Sequence, residues 1–274
     1  VNLVLDIVFI EHLNTGVGGA ALATVISQGL SMFLGIAYLK RHAFLFDFKP
    51  ASFRIARPMA KELARVGIPI SFQELMVRIS FLYLTAVMNG CGVYAAAVVG
   101  IGAKYDVFSM LSATSVANAL AALTAQNTGA GKPARAWRSL WYGLAFALGA
   151  AFVFWTWAQW NPESMIRLFS DDPGVIAAGV PYFRACSYDY LMVAFVFCLN
   201  GYLNGRSKTL WTMVSCTCGA LFLRIPLVWY VGNHFAQDLG MLGTVAPVVS
   251  GMMAAYTLLY VLWEGRKQRV FRGN

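Results

Sequence analysis

The chain has 274 residues, of which 59% are hydrophobic and 12% charged, and it carries a net charge of +9. Ordinary globular domains are about 25% charged, so these values, with a mean hydropathy of +0.62, exclude a conventional soluble fold. A pI near 9.5 in a soluble protein would raise nucleic acid as a partner; here the apolar content assigns the basic excess to membrane topology, and no nucleic-acid partner is expected.

A membrane span needs about 20 mostly apolar residues. In chain order, a partial segment covers 1–10, and full spans are expected over 17–39, 67–88, 93–122, 137–160, 176–203, 208–231 and 239–263. Turn-forming clusters separate several of them: Asn89-Gly90-Cys91-Gly92, Asn204-Gly205-Arg206-Ser207 and Gly232-Asn233-His234. The chain opens on Val1 and runs directly into an apolar helix, so it reads as a cut chain.

The connections alternate in charge. Lys40, Arg41, Lys49, Arg54, Arg57, Lys61 and Arg65 lie between the second and third segments, and every second connection thereafter is basic. These are Lys132, Arg135 and Arg138, then Arg206 and Lys208, then Arg266, Lys267, Arg269 and Arg272. The opposite connections hold only Arg167 among cations, with Glu11, Glu163, Asp171, Asp172 and Asp238. Positive loops stay inside, so the basic loops and the C-terminus are expected to be cytoplasmic, in a multi-pass protein of the cell (inner) membrane.

Ionisable residues within or at the edge of spans are Asp6, Glu74, Arg78, Lys104, Asp106, Arg184, Asp189 and Arg224. Each costs about 2.5–3.5 kcal/mol near the bilayer centre, and so needs a partner, a wet cavity or a function. Glu74 and Arg78 are i,i+4, the spacing at which a carboxylate can meet a guanidinium. Lys104 and Asp106 face different sides of their helix. Asp189 lies mid-span, and Arg224 precedes Pro226, where the missing backbone donor favours a kink. Counted at depth, Glu74, Asp106 and Asp189 balance Arg78, Lys104 and Arg224. Two accounts fit: a structural charge network, or a polar cavity in which a carboxylate changes protonation or binds a cation. The second makes Glu74 and Asp189, with the neutral Gln73 and Asn200, the candidate ion-coupling or substrate residues, and Arg78, Lys104, Asp106, Arg224 and Asp6 the charge network. Gly29, Gly35, Gly143, Gly149 and Gly219 are read as close-packing positions, and Trp155, Trp157, Trp160, Trp229 and Trp263 as lipid-facing or interface aromatics.

Five cysteines without CxxC spacing give neither a zinc site nor a disulfide framework, and His12, His42 and His234 lie apart in loops or flanks, so no enzyme constellation is visible. An internal repeat is visible instead. Gly16-Val17-Gly18-Gly19-Ala20, running to Lys40-Arg41, resembles Gly240-Met241-Leu242-Gly243-Thr244, running to Arg266-Lys267, at an offset of about 224 residues. On that reading the first two segments close a first half whose earlier four spans are absent.

Several stretches resemble the multidrug and toxic compound extrusion (MATE) transporters, essentially end to end. Asn2-Leu3-Val4-Leu5-Asp6 resembles the fifth-helix pattern, Gly16 to Gln28 the start of the sixth, and Gly67-Ile68-Pro69-Ile70 the opening of the seventh. Gln126-Asn127-Thr128-Gly129-Ala130-Gly131-Lys132 is similar to the turn after the eighth and is the most specific stretch; Asn200 to Gly205 and Leu223 to Leu227 resemble parts of the tenth and eleventh. The resemblance implies an all-α polytopic membrane protein: a six-helix C-terminal lobe of a twelve-helix, two-lobed transporter, plus the last two helices of the N-terminal lobe. It divides the chain into 1–39 (N-terminal lobe), 40–66 (basic cytoplasmic linker), 67–263 (C-terminal lobe) and 264–274 (basic tail).

The resemblance further implies export of organic, often cationic, compounds against inward H⁺ or Na⁺ flow, with no cofactor beyond the coupling ion and with membrane lipids and the missing helices as partners. It also implies a possible Na⁺ site at Glu74 or Asp189, the carboxylates on the matching helices, although each sits about one turn from the family's sodium pattern, which leaves the ion open. The alternative is a lipid-linked oligosaccharide flippase of related architecture, which would favour a basic cavity. Alternating access needs two lobes, so the 274 residues alone are expected to be inactive.

Overall fold

In the computed structural model, residues 1–13, 15–41, 56–235 and 238–267 are described. Among them no strand occurs, and seven helices are long and apolar enough to cross a membrane. This matches the span count read from hydropathy, with the partial segment at the start.

The chain divides into two compact units, Val1–Ala60 and Lys61–Asn274. In the first, α1 (Asn2–Ile7) passes into a π-helical turn, Val8–His12, and then returns as α2 (Gly16–Arg41). Thr15 closes the corner: its hydroxyl donates to the Phe9 carbonyl at 2.6 Å, and its amide donates to the same oxygen at 3.0 Å. Asp6 lies half-buried on α1.

The second unit holds α3 (Arg57–Gly90, entered from the first), α4 (Val93–Gly129), α5 (Pro133–Trp160), the short α6 (Pro162–Arg167), α7 (Pro173–Gly205), α8 (Thr209–Cys218), α9 (Ile225–His234) and α10 (Leu239–Lys267). A second π-helical turn, Gly219–Arg224, joins α8 to α9 without interrupting the span. Arg57, Lys61 and Arg65 therefore sit on a helix rather than in a linker over 40–66; residues 42–55 of that segment and 268–274 of the basic tail lie outside the described residues.

α7 is apolar on all sides, and such a helix is stable only when others cover it. It packs against α4, α5 and α10, with buried residues from Val175 to Leu203. The closest approach is made by glycine. A Cβ on Gly201 would lie 3.0 Å from the carbonyl carbon and Cα of Ala117, and one on Gly205 would press on Ala121 and Thr124 of α4. Gly201-x₃-Gly205 thus faces Ala117-x₃-Ala121, the small-residue pattern that lets membrane helices touch backbone to backbone. Of the glycines expected to pack, Gly143 meets Leu120 and Gly219 meets Met253; among the described residues a Cβ at Gly29, Gly35 or Gly149 would meet nothing within 4 Å.

On the side of the acidic loops, α6 lies against the bundle. Asn161 caps it by accepting from the Ser164 amide at 3.1 Å, and Pro162 occupies its first turn, where a missing N–H costs nothing. Tyr105 of α4 donates to the Met165 carbonyl at 2.9 Å and meets Trp157, Phe169 and Phe183 edge-on. Gln159, one residue from the end of α5, donates to the Arg184 carbonyl at 2.8 Å and to the Ser187 hydroxyl at 2.9 Å, pinning that end to α7.

Candidate functional site

The deep charges do not form one balanced set. Glu74 and Arg78 are both exposed on α3, and among the described residues no ion pair joins them. Their i,i+4 spacing permits contact but cannot enforce it between two solvated or cavity-facing chains. Gln73, on the adjacent face, is buried, and its Oε1 has no hydrogen-bond partner. Lys104 is exposed and holds its ammonium 4.3 Å over the Phe169 ring, so it leans towards the acidic-loop side instead of inward. Arg184 is also exposed.

Three residues converge. Asp189 of α7 is buried, its Oδ1 has no partner, and Ser250 of α10 lies near the carboxylate. Arg224, at the end of the second π-helical turn, is 5% exposed, and its Nε is unpartnered. Its guanidinium carbon lies 4.3 Å over the ring of Phe81 on α3. Asp106 of α4, half-buried, is the second carboxylate within electrostatic range of Arg224. The two-residue offset on α4 explains why Asp106 turns inward while Lys104 turns out. Tyr182, Cys186 and Tyr190 complete the α7 side of the cluster, and the Tyr190 hydroxyl is buried without a partner.

A second polar level lies three turns further along α7. Asn200 donates to the Cys216 sulfur of α8 at 3.2 Å, while its Oδ1 is unpartnered. Thr212 donates to Asn204 at 2.9 Å, and the Tyr256 hydroxyl of α10 bonds the Ser215 carbonyl. Cys216 lies within electrostatic range of both Glu74 and Arg224. Ser250, Phe81, Cys216 and Glu264 carry no sequence signal of their own. Glu264 is nonetheless a buried acid held by Arg206 and Lys208, each at 3.5 Å. Among the described residues no three His, Cys, Asp or Glu side chains cluster as a metal site. The five cysteines are free.

A multi-pass helical bundle around an incompletely paired set of charges defines a class, that of polytopic α-helical membrane proteins with a polar site inside the bundle. The MatE family profile matches residues 69–230, more than half of the chain, and the chain belongs to that family, whose members are transporters. It is 26% identical over 233 residues to the probable multidrug resistance protein YpnP of Bacillus subtilis, a match covering 82% of this chain and 50% of that protein. It is also 26% identical over 275 residues to the FAD transporter of Shewanella oneidensis, covering 96% of this chain and 59% of the relative. A solved MOP superfamily transporter from Pyrococcus furiosus shares the fold with a TM-score of 0.86 at 20% identity, covering 98% of this chain and 60% of that one. The chain spans about half to three-fifths of the length of the proteins it matches.

Proposed function

We propose that this chain serves a multidrug efflux antiporter of the inner membrane that exports organic, cationic compounds against inward H⁺ or Na⁺ flow, with its basic loops and C-terminus cytoplasmic. The observation that carries the reading is the buried, unpartnered Oδ1 of Asp189 within electrostatic range of a buried Arg224 whose Nε is also unpartnered. Buried polar atoms are normally satisfied, and an acid at membrane depth that is left short of partners marks an ion pathway more often than a structural tie. A carboxylate that binds the ion in one access state and releases it in the other supplies the differential affinity that coupling requires. Names given to relatives, such as multidrug resistance protein and multidrug export protein, support the same reading.

The protein expressed from its native gene and reconstituted in liposomes tests this. Asp189→Asn should abolish efflux driven by an imposed H⁺ or Na⁺ gradient, and Glu74→Gln should weaken it. Undiminished ion-driven efflux in both variants would overturn the assignment.

A further inference from the structure

Arg224 stands apart from every other cation in the described part of the second unit. Arg78, Lys104, Arg167 and Arg184 are exposed, and Arg206 and Lys208 hold Glu264, whereas Arg224 is buried. A buried guanidinium normally takes a carboxylate in a bidentate pair. Arg224 does not: two carboxylates on two other helices lie within its electrostatic range, yet no ion pair within 4.0 Å joins it to either, and its charge rests on the face of Phe81.

The backbone beneath it is equally unusual. Arg224 ends the π-helical turn Gly219–Arg224, and Pro226 follows. π-helical turns are rare and recur at functional sites, where they aim a side chain that a regular helix would place elsewhere. Within electrostatic range of Arg224 are Asp106 from α4, Asp189 from α7 and Cys216 from α8, with Phe81 of α3 beneath the guanidinium; Glu74 is within range of Cys216, and Tyr182, Cys186 and Tyr190 are within range of the two acids.

We infer that Arg224 is a tethered cation that competes with the coupling ion for the Asp106–Asp189 carboxylates, parked on Phe81 when the ion is bound and moved onto the carboxylates when it leaves. The inference rests on the proposed antiport and explains how that site is regulated. Because a guanidinium is always charged, the carboxylates need not be left unneutralised as the protein cycles. One positive charge, either the ion or Arg224, faces them in each state. Phe81 makes the parked position tolerable through a cation–π contact that is weaker than an ion pair and so can be left.

Arg224→Met and Arg224→Lys in the native-gene protein separate the possibilities. The probes are ²²Na⁺ binding at fixed pH and, for protons, the infrared carboxyl band of the detergent-purified protein. Loss of the competitor should tighten cation binding about tenfold or more in Arg224→Met, since a unit charge a few ångströms away acts strongly in this environment, while ion-coupled efflux is lost. Arg224→Lys should restore both towards the native values. Adding Asp189→Asn to Arg224→Met should abolish the tightened binding. Whichever of Na⁺ or H⁺ shows the tightening is the competing ion. Unchanged or weakened cation binding in Arg224→Met, with native efflux still ion-coupled, would overturn the inference alone. No ion-coupled efflux by the native protein would overturn the proposed antiport and this inference with it.

Discussion

Gly201→Ala tests the packing on which the second unit depends. The new Cβ would stand 3.0 Å from two backbone carbons of Ala117 and closer still to its carbonyl oxygen. Backbone atoms cannot rotate away as a side-chain tip can, and carbon–carbon contact needs roughly 3.5–4.0 Å, so α4 and α7 must part by about 0.5–1 Å at this point. Overpacking of this kind costs about 1–3 kcal/mol, offset in part by the roughly 0.5–1 kcal/mol that alanine gains over glycine in a helix. A net loss of about 1–2 kcal/mol corresponds to a drop on the order of 2–8 °C in Tm for a unit of this size. The assay is thermal unfolding of the purified protein in detergent, with Gly149→Ala as the internal reference. A Cβ at Gly149 meets nothing within 4 Å, so that variant should be neutral or slightly stabilised. If Gly201→Ala unfolds at the native temperature, or no earlier than Gly149→Ala, the helix contact is not limiting and the reasoning fails.

Two other substitutions probe the remaining contacts in the same assay. Glu264→Gln should cost about 3 kcal/mol, because Arg206 beside it is buried and loses a carboxylate partner; Glu163→Gln, whose pair with Arg167 is more than half exposed, should cost under about 1 kcal/mol. The opposite ranking would refute the burial argument. Tyr105→Phe deletes the 2.9 Å bond to the Met165 carbonyl and should cost about 0.5–1.5 kcal/mol, with faster proteolysis within 161–172; equal proteolysis of the two forms would show that α6 is held by other contacts.

The spans were legible because membrane crossing imposes a length of apolar sequence that no tertiary detail can hide: the expected 93–122 and 239–263 lie wholly within α4 and α10. Partnership was much less legible. Gly149 and Gly201 look alike in sequence, both small residues in apolar helices, and only the facing backbone of Ala117 separates them. Gly201 and Gly205 were visible as part of a family-like stretch but not as a packing pair, since their partners lie about 84 residues earlier. The charged residues show the same limit. Asp106, Asp189 and Arg224 could be named from hydropathy as costly, yet nothing local says that these three meet while Lys104 leans to Phe169 and Glu74 stays exposed. Charges balance by count only at a common depth, and long side chains escape depth by reaching outward. Glu264 is illegible for the complementary reason: it stands near the end of α10 beside the basic tail, and its burial depends on Arg206 and Lys208 of the α7–α8 corner.

The mid-helix place of Asp189 has an electrical consequence. Asp189 stands at the middle of α7, sixteen residues from either end, so about 24 Å of helix lies on each side of it at 1.5 Å per residue. The outer half stays covered beyond the end of α5, because Ile166 of α6 lies against Gly179 and Tyr94 of α4 lies against Gly174. Beneath the membrane voltage, which is worth about 2.3 kcal/mol per charge per 100 mV over the whole thickness, a charge reaching Asp189 from either surface would cross about half of the field. Loading and release would then share the electrical work, roughly 1.2 kcal/mol per 100 mV for each leg.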